Sequence, residues 1–299
     1  MSVKVGILAS SRGTAAPPVG LLLDAYPNAA AAYSLRKLRS AYNGSAIRIR
    51  RTDNSEIDIG FVNGVLDTNT ISTFCGVQTG FVTIWYDQSG IGVNAIQTTT
   101  AAQPLIYASE SFYLQNGKPS IKFNGIAYNL RRTGTMPLIE RSFTFVGKQD
   151  FYQQDAGIIG FSPSGGGNDF NSPDTFLFQT ANTSVQFDYC VAGATGVSYF
   201  LPQNGTGLGV LQYGLYLENK TTPLGEFYRN NVLIAQDSSF TQFDAFNTQS
   251  LVIGARQFNS SLLTGHFGGI FQEFVYWSVS NTANRIGIQN NINSFYTIY

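Results

Sequence analysis

The chain has 299 residues, with 18 Lys and Arg balancing 18 Asp and Glu, and one His. Charged residues are 12% of it, half the usual ~25%, so no net field gathers nucleic acid. Apolar residues reach 43% and aromatics 14%, which supplies a core and argues against disorder, while no apolar run approaches the ~18–20 residues of a membrane-spanning helix.

Residues 1–19 form an extended arm without a core of its own, with a strand over 2–9 and a small, Pro-ended linker after it. The start holds one Lys and no long apolar stretch, unlike an export signal. Asn28 and the following alanines predict a helix over 29–40, with Arg36, Lys37 and Arg39 at its end. Ile47 and Ile49 alternate with Arg48 and Arg50, the pattern of a half-buried strand with a solvated basic face. Asp67 or Thr68 caps a short helix through Phe74.

From Gly80 onward short β-type runs dominate, among them residues 80–88, 141–148 and 269–277. Asn-Gly pairs begin at Asn43, Asn63, Asn116, Asn124 and Asn204, and Asn230-Asn231 separates two further apolar runs. These pairs tolerate the positive φ that two-residue hairpins need. Residues 281–295, with Ile286, Ile288 and Ile292, predict a terminal helix. The whole reads as an all-β sandwich: a docking arm over 1–19 and one jelly-roll domain over 20–299.

Cys75 and Cys190 read as buried thiols, with one long-range disulfide as the other possibility. Two Cys and one His do not make a four-ligand zinc site, and no metal or cofactor is expected. His266 reads as a packed or surface residue rather than a base, and Gly165–Gly167 lacks the Lys-Ser/Thr of a phosphate loop.

Two stretches carry a resemblance. The first runs from AAYSLRKLRSAYNGSAIRIRR to FCGVQTGFVTIWYDQSGIGVNAIQ, and contains Tyr86-Asp87-Gln88-Ser89-Gly90. It resembles the opening of the catalytic domain of the arabinofuranosidase B family. The second, residues 250–296, looks like the closing part of concanavalin A-like and laminin-G-like domains. The resemblance implies a concanavalin A-like jelly roll. It also implies a late acid and a mid-chain nucleophile, two carboxyls being needed for glycoside hydrolysis.

Where the family's acid is implied, this chain reads Ile253-Gly254-Ala255-Arg256-Gln257, with no carboxylate before Glu273. Arg does not deliver a proton at neutral pH. The nearest counterpart of the nucleophile is Asp174. Cys75 matches the first of a close cysteine pair in the family, and Gly80 stands where its partner would be.

The expectation from these losses is a protein without catalytic residues: a bacteriophage virion surface protein, such as a head or tail fibre or decoration protein. Similar jelly-roll sequences occur among phage and gut-bacterial proteins. In this reading residues 1–19 dock on capsid or tail proteins through Val3, Val5, Ile7 and Leu8. Assembly takes place in the host cytoplasm as a homo-oligomer, a trimer for preference, without nucleic acid or membrane as partner. Its loops offer Tyr86, Asp87, Gln88, Asp174 and Arg256 to surface glycans. Asp87 is better suited to holding its own turn by accepting from backbone N–H groups than to touching a ligand. Two other readings stand beside it: an arabinofuranosidase-like hydrolase using Asp174, and a cellular carbohydrate-binding module.

Overall fold

The structure is a computed structural model. It describes residues 20–138, 140–151, 153, 156–162, 175–180, 187–193, 196–200, 212–219, 224–237, 246–257 and 263–299, with backbone alone for strands 175–180, 187–193, 196–200 and 212–219. Val3, Val5, Ile7, Leu8 and Asp174 lie outside the described residues.

The architecture is the expected all-β sandwich, built of antiparallel strands with few short helices. At its centre is the strand Gly268–Trp277, buried at every position. Strands Ile121–Asn124 and Ala29–Ser34 share one of its edges, and Ser142–Gln149 takes the other. Strands Gln212–Asn219, Leu224–Arg229 and Val232–Asp237 extend that layer. The second layer runs from Glu56–Ile59 through Ile47–Arg51, Gly80–Trp85, Ala95–Ile96, Leu130–Leu138 and Phe246–Ile253 to Gly157–Ser162 and Thr175–Thr180. Strand Leu105–Ala108 pairs with both layers.

Aromatic side chains fill the space between the layers. Tyr33, Trp85, Phe123, Phe143, Phe161, Phe271, Phe274 and Tyr276 belong to this one buried cluster. Phe271 meets Phe123 edge-on at 5.4 Å between ring centres, a favoured contact for rings whose faces and edges differ in charge. The outer face of the central strand is also covered. Ile270, Val275 and Trp277 pack there on Leu22, Ile288, Ile292 and Tyr296, of which the last three come from the helix Arg285–Tyr296. A strand covered on both faces has no solvent side, which explains its nearly continuous apolar sequence.

The register of the central strand slips at Gln272: Val146 pairs with Glu273 and Gly147 with Phe271. The extra residue of this bulge re-aims the side chains beyond it. Glu273 accordingly meets the terminal helix, and Phe274 the aromatic core.

One predicted element is corrected. Residues Ala29–Ser34 form a strand, not the start of a helix. Asn28 has φ 63°, a turn conformation, and all six residues are buried against Trp277 to Glu273. Small alanines let this strand approach the central one, and that tertiary packing outweighs intrinsic helix propensity. Other local signals hold in part, since Asn43 and Asn124 do not take positive φ. Asp67 caps the helix Thr68–Cys75 by accepting from Thr70 N–H at 3.0 Å. Asn63, Asn116, Asn230 and Asn231 all take positive φ in their turns.

Candidate functional site

The motif Tyr86–Gly90 follows strand Gly80–Trp85, and its polar side chains turn inward. Asp87 is 3% exposed. Its Oδ1 accepts from Ala32 N–H at 2.9 Å and Ser89 N–H at 3.0 Å. Its Oδ2 accepts from the Ser89 hydroxyl at 2.7 Å, Gly92 N–H at 3.0 Å and Val93 N–H at 3.3 Å. Gln88 is fully buried, accepts from Leu38 N–H and donates to the carbonyls of Ser34 and Arg36. These two residues tie the first strand to the turn, with their bonding groups turned to the chain. Tyr86 is half-buried and donates to Asp58 at 2.6 Å, and Asp58 also holds Arg48 in a two-pronged ion pair. Burial and that carboxylate push the Tyr86 phenol up to about 12.

The position implied for an acid lies at the end of strand Phe246–Ile253. Gly254 has φ +85°, and a Cβ there would sit 2.3 Å from the Phe123 ring. Ala255 is buried, and Arg256, half-buried, pairs with Thr264 across a two-residue ladder. The chain is tight here: a Cβ at Gly157 would fall 2.5 Å from the Ala255 backbone. His266 closes the corner by bridging to Gly157, and its burial lowers its pKa.

Glu273, the next carboxylate along, is not accessible to a substrate. It is fully buried, receives Arg36 through Nε at 2.7 Å and Nη2 at 3.0 Å, and accepts from Ser34 Oγ at 2.8 Å and Tyr296 OH at 3.1 Å. A forked pair with its remaining lone pairs satisfied is the form in which buried charge is tolerable.

Two open clefts flank these elements. One, of about 630 Å³, lies between the first strand, the Ser89–Ile91 turn and residues 132–136. It holds Asp24, Arg39 and Arg132; the sequence singled out Arg39 only as a helix-end cation, and the other two not at all. The other, of about 670 Å³, is lined by amides and hydroxyls such as Asn94, Gln97, Thr99 and Asn129, with Arg131. Arg131 Nε donates to Ser250 Oγ at 2.9 Å. Of the carboxylates, these two linings contain Asp24 alone. Among the described residues no three His, Cys, Asp or Glu side chains converge on a metal position, and no helix is long and apolar enough to cross a membrane.

The family model falls on the stretch that contains the Tyr86–Gly90 turn. The family model for alpha-L-arabinofuranosidase B, catalytic, matches residues 24–113. A protein of Aspergillus flavus named probable alpha-L-arabinofuranosidase B is 38% identical over 100 residues, 32% of this chain. Alpha-L-arabinofuranosidase B of Aspergillus oryzae is 37% identical over the same length. The match spans about a fifth of these curated relatives, 20% of their length. Among solved structures, a GH54 α-L-arabinofuranosidase soaked with a cyclic sulfate inhibitor superposes with TM-score 0.65 at 16% identity. An arabinofuranosidase complexed with arabinofuranosyl-alpha-1,2-xylobiose gives 0.63 at the same identity. Each likeness covers 91% of this chain and 64% of the other. The chain therefore resembles the arabinofuranosidase B catalytic domain in sequence over its first third and shares its fold over nearly all of its length.

These findings correct the virion reading. The matching family model and the curated relatives named are arabinofuranosidases, the relatives are fungal, and the solved structures described above share the fold. None is a phage fibre, capsid or decoration protein. The expectation of a non-enzymatic display protein, assembled onto a particle in a host cytoplasm, falls with it. It weighed one substituted loop, Arg256 in place of an acid, above a scaffold that matches arabinofuranosidase B in sequence.

Proposed function

We propose that this chain is a glycoside hydrolase acting on α-L-arabinofuranosyl residues. The observation that carries the reading is the 38% identity over 100 residues with an arabinofuranosidase B, beside the family model's match to residues 24–113. The shared fold over 91% of the chain supports it.

The chemistry needs two carboxyls, ~5–5.5 Å apart for retention or ~6.5–9.5 Å for inversion. Asp87 and Glu273 are buried and bonded to the chain, so neither serves. Asp174, the counterpart the resemblance implies, takes the nucleophile's role. Its carboxylate attacks the anomeric carbon while a second carboxyl protonates the departing glycosidic oxygen. Water, deprotonated by that second group, then releases the sugar and restores Asp174.

The test is nitrophenol release from 4-nitrophenyl α-L-arabinofuranoside by the whole chain. Turnover is expected from the unaltered protein, with a loss of about a thousandfold in Asp174→Asn, the usual scale for removing a group that acts in the transition state. No turnover by the folded, unaltered chain overturns the hydrolase reading. Full activity in Asp174→Asn removes Asp174 from the mechanism.

A further inference from the structure

A buried cation beside open space is the least explained group in the molecule. Arg132 is 2% exposed and lines the 630 Å³ cleft. Its Nη1 donates to the Ala30 carbonyl at 2.9 Å and contacts Met136 Sδ. Both partners are neutral, and the buried Nε has no acceptor among the described residues. No carboxylate among the described residues pairs with it. A guanidinium offers five donors in a rigid fork and keeps its charge at every physiological pH. Held out of water with an idle donor, it favours an anion that accepts through two oxygens.

The rest of the cleft says which anion. Arg39 crosses it, with Nη1 donating to the Ser89 carbonyl at 2.7 Å. The fit is close enough that a Cβ on Gly90 would lie 2.3 Å from that nitrogen. Asp24, on the surface side, bonds Ser40 N–H through both oxygens at 3.0 and 3.1 Å and keeps acceptor capacity for hydroxyl groups. Two guanidiniums and one carboxylate leave the lining positive. Its other walls are mainly small or aliphatic, and no aromatic ring lines it among the described residues, so a sugar is not held here by stacking. The space suits one or two sugar rings rather than a bare ion.

We propose that this cleft binds a sugar acid, a hexuronate residue of an acidic polysaccharide, with its carboxylate on Arg132 and its hydroxyls shared between Asp24 and Arg39. This binding site is separate from the hydrolase reading and does not depend on it.

The test is NMR titration of the whole chain with galacturonate, its methyl ester, galactose and inorganic phosphate. Galacturonate is expected to shift the amides of residues 28–30 and 89–91 and to bind at least about tenfold more tightly than ester or galactose, the scale of one charge-assisted fork. Arg132→Lys keeps the charge, loses the fork and weakens galacturonate by a similar factor. Because Arg132 also supports Ala30, a second variant guards against misfolding. Thr135→Glu puts a negative charge on an exposed wall of the cleft and weakens galacturonate about tenfold with an unchanged melting temperature. Equal binding of acid and ester overturns the proposal. So does phosphate binding as tight as galacturonate, which would mark a general anion site, and so does the absence of any shift.

Discussion

The turn at 86–93 and the loop at 253–257 are the two places where resemblance and chemistry meet, and they behave oppositely. The turn carries the recognisable motif, yet Asp87 and Gln88 are buried and bonded to the strand Ala29–Ser34 and its continuation. The loop lies in the shared fold, yet it presents Arg256 where the resemblance implies an acid. The matched stretch contains groups that hold the sandwich together. A buried acceptor surrounded by fixed donors tolerates few replacements, whereas an accessible loop residue changes without loss of fold. A motif can therefore identify a scaffold through residues that never meet its substrate.

The comparison breaks first at Asp87. Replacing it with Ala leaves five donors without their acceptor, four of them backbone or side-chain groups inside one turn and the fifth on Ala32. Bonds to a charged acceptor contribute about 1.5–3 kcal/mol each, and water entering the turn recovers part of the loss. The expected destabilisation is about 4 kcal/mol by urea unfolding. A change below about 1 kcal/mol would show that the turn is not a structural tie.

A smaller effect, of opposite sign, is available at the start of the neighbouring strand. Cys75 ends the helix Thr68–Cys75 as a free, buried thiol, and a Cβ built on Gly80 would lie 2.9 Å from its sulfur. An S–S bond of ~2.05 Å places each Cβ about 3 Å from the far sulfur, so the backbone already has disulfide spacing. Gly80→Cys is expected to bridge to Cys75 and stabilise the oxidised chain by about 2 kcal/mol, the chain-entropy figure for so short a loop. Thiol counting and melting with and without reductant check it. Two titratable thiols under oxidising conditions would show that the geometry is not met.

Much of this scaffold is legible in the chain. The strand at Ile47–Arg51, the cap at Asp67 and the turns at Asn63, Asn116 and Asn230–Asn231 are local signals, each completed within a few residues, but the expected solvated basic face is only partial because Arg50 is buried. The Ala-rich run misleads because its state is decided by the central strand, more than two hundred residues away in sequence. Arg36 looks like a helix-end cation and is instead the partner of Glu273, 237 positions on. The cleft around Arg132 has no signal at all. It is assembled from separate stretches near residues 24, 39, 90 and 132, and only their packing reveals that one guanidinium has no anionic partner among the described residues.

The smallest effect concerns the other member of the comparison, the corner where the loop at 253–257 meets His266. Burial lowers the His266 pKa, so the folded chain favours the neutral ring. Unfolded, the ring returns to its ordinary value of ~6.5. Below that value the unfolded chain binds a proton that the folded chain resists. Stability attributable to His266 is therefore complete above about pH 6.5 and declines as pH falls towards the lowered value. His266→Gln, which cannot take up that proton, should show a shallower loss of urea midpoint between about pH 7 and about pH 5. The ring is only partly buried, so the slope is modest and other groups contribute a common background. If the two proteins lose stability in parallel over this range, the corner is open to water. The loop that differs from the family would then be a solvated surface rather than a packed wall beside Gly157 and Ala255.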